Sequence, residues 1–189
     1  MKRLLENSLN LTEKDIFKPY SVEEVIQLKL KDCTKNSDGT YSSEGSVNLS
    51  DLGLTILPVK FKEVKGDFNC SGNKLTSLES CPEKVGKSFR CDNNQLTTLE
   101  GAPEHVGGEF WCSCNELTTL EGGPEMVGRI FNCSLNNLQT LEGAPKRVGG
   151  DFRCSYNKLT TLKGASEYVK GFFYCDYNPV SVDGLKNCW

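Results

Sequence analysis

Apolar and polar residues recur along this chain with one fixed period. Phenylalanines stand at Phe68, Phe89, Phe110, Phe131, Phe152 and Phe173, with cysteines two places later at Cys70, Cys91, Cys112, Cys133, Cys154 and Cys175. Asparagines follow three places after each cysteine, at Asn73, Asn94, Asn115, Asn136, Asn157 and Asn178, and every step is 21 residues. Two leucine columns keep the same period, Leu75 to Leu159 (then Val180) and Leu78 to Leu162, as does a valine column from Val64 to Val169. So many columns in one register predict a solenoid, whose units stack to bury a continuous core that no single unit could bury alone. A degenerate earlier copy, with Val47, Leu49, Leu52, Leu54 and Leu57 in the same columns, extends the count to seven coils over residues 47–189. The first and last coils are atypical, as capping coils are.

Within a unit, Phe and Cys alternate with polar positions as a short strand with one buried face does. The asparagine then turns inward, where its amide satisfies backbone groups that would otherwise cost roughly 1–3 kcal/mol each if left unpaired. The return carries Pro82, Pro103, Pro124 and Pro145 among glycines, so an extended or single-turn return is expected rather than a long helix. Residues 1–46 do not repeat. Ser21-Val22-Glu23-Glu24 is a capping box ahead of Val25, Ile26, Leu28 and Leu30, predicting a helix over about 22–31. Asn36-Ser37-Asp38-Gly39 marks a turn into a strand at Thr40-Tyr41. Together they read as a helix-and-hairpin cap over the first coil, with another short helix expected around Leu4, Leu5, Leu9 and Leu11.

Composition adds limits. Hydrophobic residues make up 37%, too few for a thick core and consistent with a thin elongated one. With 22 Lys+Arg against 25 Asp+Glu the chain carries −3, which disfavours nucleic acid held by bulk charge. No apolar run approaches the ~20 residues a bilayer-spanning helix needs, and the basic start Met1-Lys2-Arg3 breaks at Glu6 before a secretory signal could form. The six in-register cysteines suit small buried apolar side chains in a reducing cytoplasm, because neighbouring strands hold Cβ atoms wider apart than a relaxed disulfide's ~3.8 Å. Cys33, Cys81, Cys114 and Cys188 lie outside that column, with no activating partner in sight.

Chemistry-bearing motifs are scarce. The one histidine, His105, sits in a return beside Glu104, where a surface role is the default. Glu79, Glu100, Glu121 and Glu142 form an acidic edge closed by Lys163, and Thr/Ser columns run beside it. No nucleophile, phosphate-loop or metalloprotease motif occurs, so neither enzyme activity nor a cofactor is expected. The informative columns are the variable ones flanking Phe and Cys, which are expected to face away from the core on a concave sheet. They contain Arg90, Trp111, Ile130, Leu135, Arg153, Tyr156, Phe172, Tyr174 and Tyr177. Aromatics with arginine are the usual energetic centre of a protein interface. Trp111, Arg153 and Tyr156 lie mid-stack, while Phe172 and Tyr174 have the alternative role of covering the last coil.

The unit Phe-x-Cys-x-x-Asn-x-Leu-x-x-Leu, as in Phe68-Asn69-Cys70-Ser71-Gly72-Asn73-Lys74-Leu75-Thr76-Ser77-Leu78, resembles the leucine-rich repeat. The copies ending Leu-Glu-Gly-Ala-Pro, and the lead-in Gly45–Leu54 with Leu57-Pro58, are similar to leucine-rich-repeat proteins encoded by tailed bacteriophages. The repeat is also similar to the short type in bacterial secreted effectors, without the ubiquitin-ligase domain some of those carry. The resemblance implies an α/β horseshoe-class solenoid of short parallel strands and loops. It also implies a cytoplasmic, non-enzymatic protein that binds a protein of the bacterial host, a defence component included. A structural protein that self-associates or binds a virion component is the alternative, and a homo-oligomer stays open.

Overall fold

The computed structural model describes residues 21–180; the short helix expected near Leu4–Leu11, and Cys188, fall outside them. Helix α1 (Val22–Lys29) opens the described chain. Its capping box is closed both ways: the Glu24 amide donates to Ser21 Oγ, and the Ser21 amide donates to the Glu24 carboxylate at 2.7 Å. The helix stops at Lys29, two residues short of the predicted end, and Leu30 folds inward as its buried C-cap. An antiparallel hairpin follows, β1 (Thr34–Lys35) and β2 (Tyr41–Ser43), through the turn at Gly39.

From there each coil contributes two short strands, and like strands stack in parallel. One sheet has seven: β3 (Val47–Asn48), β5 (Phe68–Asn69), β7 (Phe89–Arg90), β9 (Phe110–Trp111), β11 (Phe131–Asn132), β13 (Phe152–Arg153) and β15 (Phe173–Tyr174). The other continues the hairpin through β4 (Phe61–Val64), β6 (Lys84–Val85), β8 (His105–Val106), β10 (Met126–Val127), β12 (Arg147–Val148) and β14 (Tyr168–Val169). Pairing keeps the 21-residue register, Phe89 opposite Phe110 and Val106 opposite Val127. The protein is a parallel β-solenoid. One strand per coil was expected; the return is extended, but its valine builds a strand of its own, so the stack has two sheets rather than one. Glycine after that valine lets successive backbones approach: a Cβ on Gly128 would run into the Gly107 carbonyl oxygen.

The spine runs between the sheets. The phenylalanine rings from Phe68 to Phe173 stack at 5.0–5.8 Å between neighbours, and those from Phe68 to Phe152 are fully buried. Burying each ring contributes roughly 2–3 kcal/mol. Beside it runs an amide ladder. Asn115 donates from Nδ2 to the Cys91 and Cys112 carbonyls at 3.0 and 3.2 Å, and its Oδ1 accepts from the Leu96 amide at 3.0 Å. The same three bonds recur at Asn94, Asn136, Asn157 and Asn178, so every asparagine ties its own coil to the one before. The thiols of Cys70, Cys112, Cys133 and Cys154 donate to backbone carbonyls of the next coil at 3.3–3.4 Å.

Candidate functional site

The exposed face of the seven-stranded sheet carries one row of partners in register: Asn69, Arg90, Trp111, Asn132, Arg153, Tyr174. It is built from two repeats of one device. The Arg90 guanidinium lies 5.5 Å from the Trp111 ring, and that of Arg153 lies 5.4 Å from the Tyr174 ring. Buried Asn132 separates them, its Oδ1 taken by the Ser134 amide. Arg90 is held by Asp92 through Nε and Nη2 at 3.0 and 3.1 Å, a contact that raises the arginine's proton affinity. Trp111 is half-buried and donates its indole N–H to Glu109. Arg153 gives Nη2 to Asp151 at 2.8 Å, which holds the Asp151 carboxyl below its usual range, while its buried Nε has no partner.

The column two places after cysteine is not on the strands. Asp51, Asn93, Cys114, Leu135, Tyr156 and Tyr177 all have φ between 55° and 58°, so the chain turns there through the left-handed region. The expectation that Leu135, Tyr156 and Tyr177 lie on the sheet is therefore corrected: they project from a corner at its edge. The signal was readable, since the first members of that column, Asp51, Gly72 and Asn93, are residues that tolerate this conformation. Leucine and tyrosine do not, at about 1–2 kcal/mol each. Yet Leu135, Tyr156 and Tyr177 stand there exposed (49%, 49% and 72%), with Tyr156 and Tyr177 stacked at 4.2 Å and 12°.

Of the remaining predicted residues, Ile130 is half-buried just before β11, and Phe172 is 66% exposed just before β15. Phe172 and Tyr174 rings approach to 6.0 Å. The nine residues thus divide into a satisfied group around Arg90 and Trp111, and an exposed group from Leu135 to Tyr177.

Among the described residues no cluster of His, Cys, Asp or Glu is arranged to hold a metal ion. Burial pushes the thiols of Cys81, Cys91, Cys112 and Cys133 well up, and that of Cys114 up as well, which leaves them protonated and poorly nucleophilic at neutral pH. No helix among the described residues is long and apolar enough to cross a membrane. Neither a protein-family model nor a curated protein matches the chain.

Sequence reasoning missed the outer face of the second sheet. His105 is not a loop residue but lies on β8, in register with Lys84, Met126, Arg147 and Tyr168. The signal was the residue before each valine, which alternates outward once the valine is read as a strand.

Proposed function

We propose that this chain is a non-enzymatic protein-binding module of the leucine-rich-repeat kind. It is encoded by a phage and acts in the cytoplasm of the infected bacterium, by occupying a host or defence protein. The phage and host assignments rest on the repeat's resemblance alone. The binding assignment rests on one observation: exposed, stacked Tyr156 and Tyr177 sit in a backbone conformation that tyrosine disfavours. Strained residues that expose apolar surface contribute little to the fold and much to a partner that covers them. In this reading Arg153, Tyr156, Tyr174 and Tyr177 form the centre, with Leu135 and Phe172 around them and Arg90, Trp111 and Ile130 at the margin.

Affinity purification from bacterial lysate tests it, with wild type against Arg153→Ala plus Tyr156→Ala. A partner recovered by wild type and lost by the double variant is the expected result. Equal recovery by both rejects this face. Self-assembly is the second reading, favoured by β14 and β15, which pair on one side only among the described residues and leave Val169, Phe173 and Cys175 half-buried. Light scattering at rising concentration separates the two, since a chain that stays monomeric excludes self-assembly.

A further inference from the structure

We propose that the C-terminal end of the solenoid is a two-fold docking surface for a second copy of this chain, with β15 of each copy pairing antiparallel across the contact. The contact rests on the self-assembly reading and names the surfaces that meet in it. The two ends of the stack differ. At the first coil Val47 and Leu49 are 2% and 0% exposed, and Val25 and Leu30 of the cap are buried in the same core. At the last coil Leu162, Val169 and Phe173 are only partly buried, whereas their counterparts Leu141, Val148 and Phe152 are fully covered. Among the described residues β15 pairs with β13 alone. The Phe152 and Cys154 amides donate to the Phe172 and Tyr174 carbonyls, so the amide and carbonyl of Phe173 between them point away from β13 along the open edge. An apolar end with an unpaired strand edge is a template for another chain.

A head-to-tail contact would set this open end on the cap of the next copy, where the core is already covered. Open end against open end remains, and the edge complements itself about Phe173. A two-fold axis there puts Phe173 opposite the partner's Phe173, each giving its amide to the other's carbonyl as in a hydrogen-bonded pair of an antiparallel ladder. The phenylalanine column, spaced 5.0–5.8 Å from ring to ring inside one chain, then continues into the partner's core. On the outer face the same register sets Tyr174 against the partner's Phe172, aromatic on aromatic; these side chains are 39% and 66% exposed in the single chain. Exposed Lys170 and Asp176 stand three residues before and after Phe173, so each Lys170 lies toward the partner's Asp176. Neither forms an ion pair among the described residues. The charged residues over 163–180 are Lys163, Glu167, Lys170 and Asp176, which sum to zero, so like ends do not repel through net charge. Pairing of this symmetry closes at two copies, because both open ends are then covered.

The test is sedimentation equilibrium on the full chain from about 1 to 100 μM. Wild type should pass from monomer to dimer and no further. Lys170→Asp and Asp176→Lys should each weaken the dimer at least tenfold with an unchanged thermal melt, since both side chains are exposed. Mixed together, the two variants should dimerise at least as well as wild type, because every Asp then meets a Lys across the axis. A wild type that stays monomeric at about 100 μM overturns this contact and the self-assembly reading together. A dimer that withstands both single variants, or a mixture that is not rescued, overturns the two-fold contact and leaves self-assembly standing through another surface. Growth beyond the dimer does the same, since only an open-ended contact propagates.

Discussion

Arg90 and Arg153 occupy the same column three coils apart, and each lies over the aromatic ring of the following coil at nearly the same distance. The backbone around them repeats in register, so any difference between them comes from side chains. Arg90 meets Asp92, which is 4% exposed and takes two of its donors; the equivalent place beside Arg153 is Ser155. Arg153 turns to Asp151 with one donor and keeps a buried Nε unpaired. A buried unpaired donor costs roughly 1–3 kcal/mol. Next to Arg90 the left-handed corner holds Asn93, which adapts to it; next to Arg153 it holds Tyr156, which does not. One device, repeated, is closed by its neighbours in the first half of the stack and left open in the second. A regular scaffold makes departures from regularity the place to look for function.

Both regions ride on one spine, and the largest expected effect removes it from under both. Cys81, Cys91, Cys112 and Cys133 hold their protons in the fold well above the thiol's ordinary value of 9.0, because burial penalises the charged form. The unfolded chain releases those protons near pH 9, while the folded chain does not. Their stabilising contribution is therefore complete below that pH and lost above it, at about 1.4 kcal/mol per thiol for each further pH unit. The melting temperature should stay level through neutral pH and fall steeply between pH 9 and 10. A flat profile would mean that the thiols are wet.

Next in size is a break between the two regions. Asn136→Ala strands the Leu117 amide and weakens the satisfaction of the Cys112 and Cys133 carbonyls, all in the interior. The expected loss is about 3–5 kcal/mol in denaturant unfolding. Asn178→Ala, whose bonds are partly exposed to water on the last coil, should lose only about 1 kcal/mol. Equal losses would show that the ladder is not loaded by burial.

The repeat was legible because a solenoid writes its core as columns: Phe, Cys, Asn, Leu and Val each recur because each packs on its own copy. Two features were fainter. The second strand is only two residues long, Lys84–Val85 in one coil, and its outward member changes identity every time, so only the valine column marks it. The corner at Tyr156 reads as a continuation of the strand if its own coil is taken alone; only Asp51, Gly72 and Asn93 at the head of the column hint at the left-handed φ that ends the strand there. Likewise the closed state of Arg90 and the open one of Arg153 depend on which neighbour each guanidinium reaches, a choice between Asp92 and Asp151 that spacing alone does not make.

Exchanging the decisive neighbour sharpens the contrast directly. Ser155→Asp should give Arg153 the grip that Arg90 has, adding about 1 kcal/mol of stability while weakening partner capture roughly tenfold. Asp92→Ser should do the reverse to Arg90, at about 1–2 kcal/mol of stability, without creating a second binding centre, because Asn93 rather than tyrosine stands beside it. If Ser155→Asp binds its partner as wild type does, the Arg153 side chain has no part in recognition.

The smallest effect separates strain from contact. Leu135 stands at φ 58° with about half its surface exposed and makes no ring stack, so its left-handed backbone is not offset by packing of the kind Tyr156 has. Leu135→Gly removes about 1–2 kcal/mol of conformational strain and returns roughly 0.5–1 kcal/mol through the freer unfolded chain. The net should be a gain of about 0.5 kcal/mol, seen as a slightly higher melting temperature. Tyr156→Gly frees the same strain but also loses the stack on Tyr177, and so should gain nothing. If Leu135→Gly instead destabilises, the leucine is packed rather than presented, and the open region begins only at Arg153.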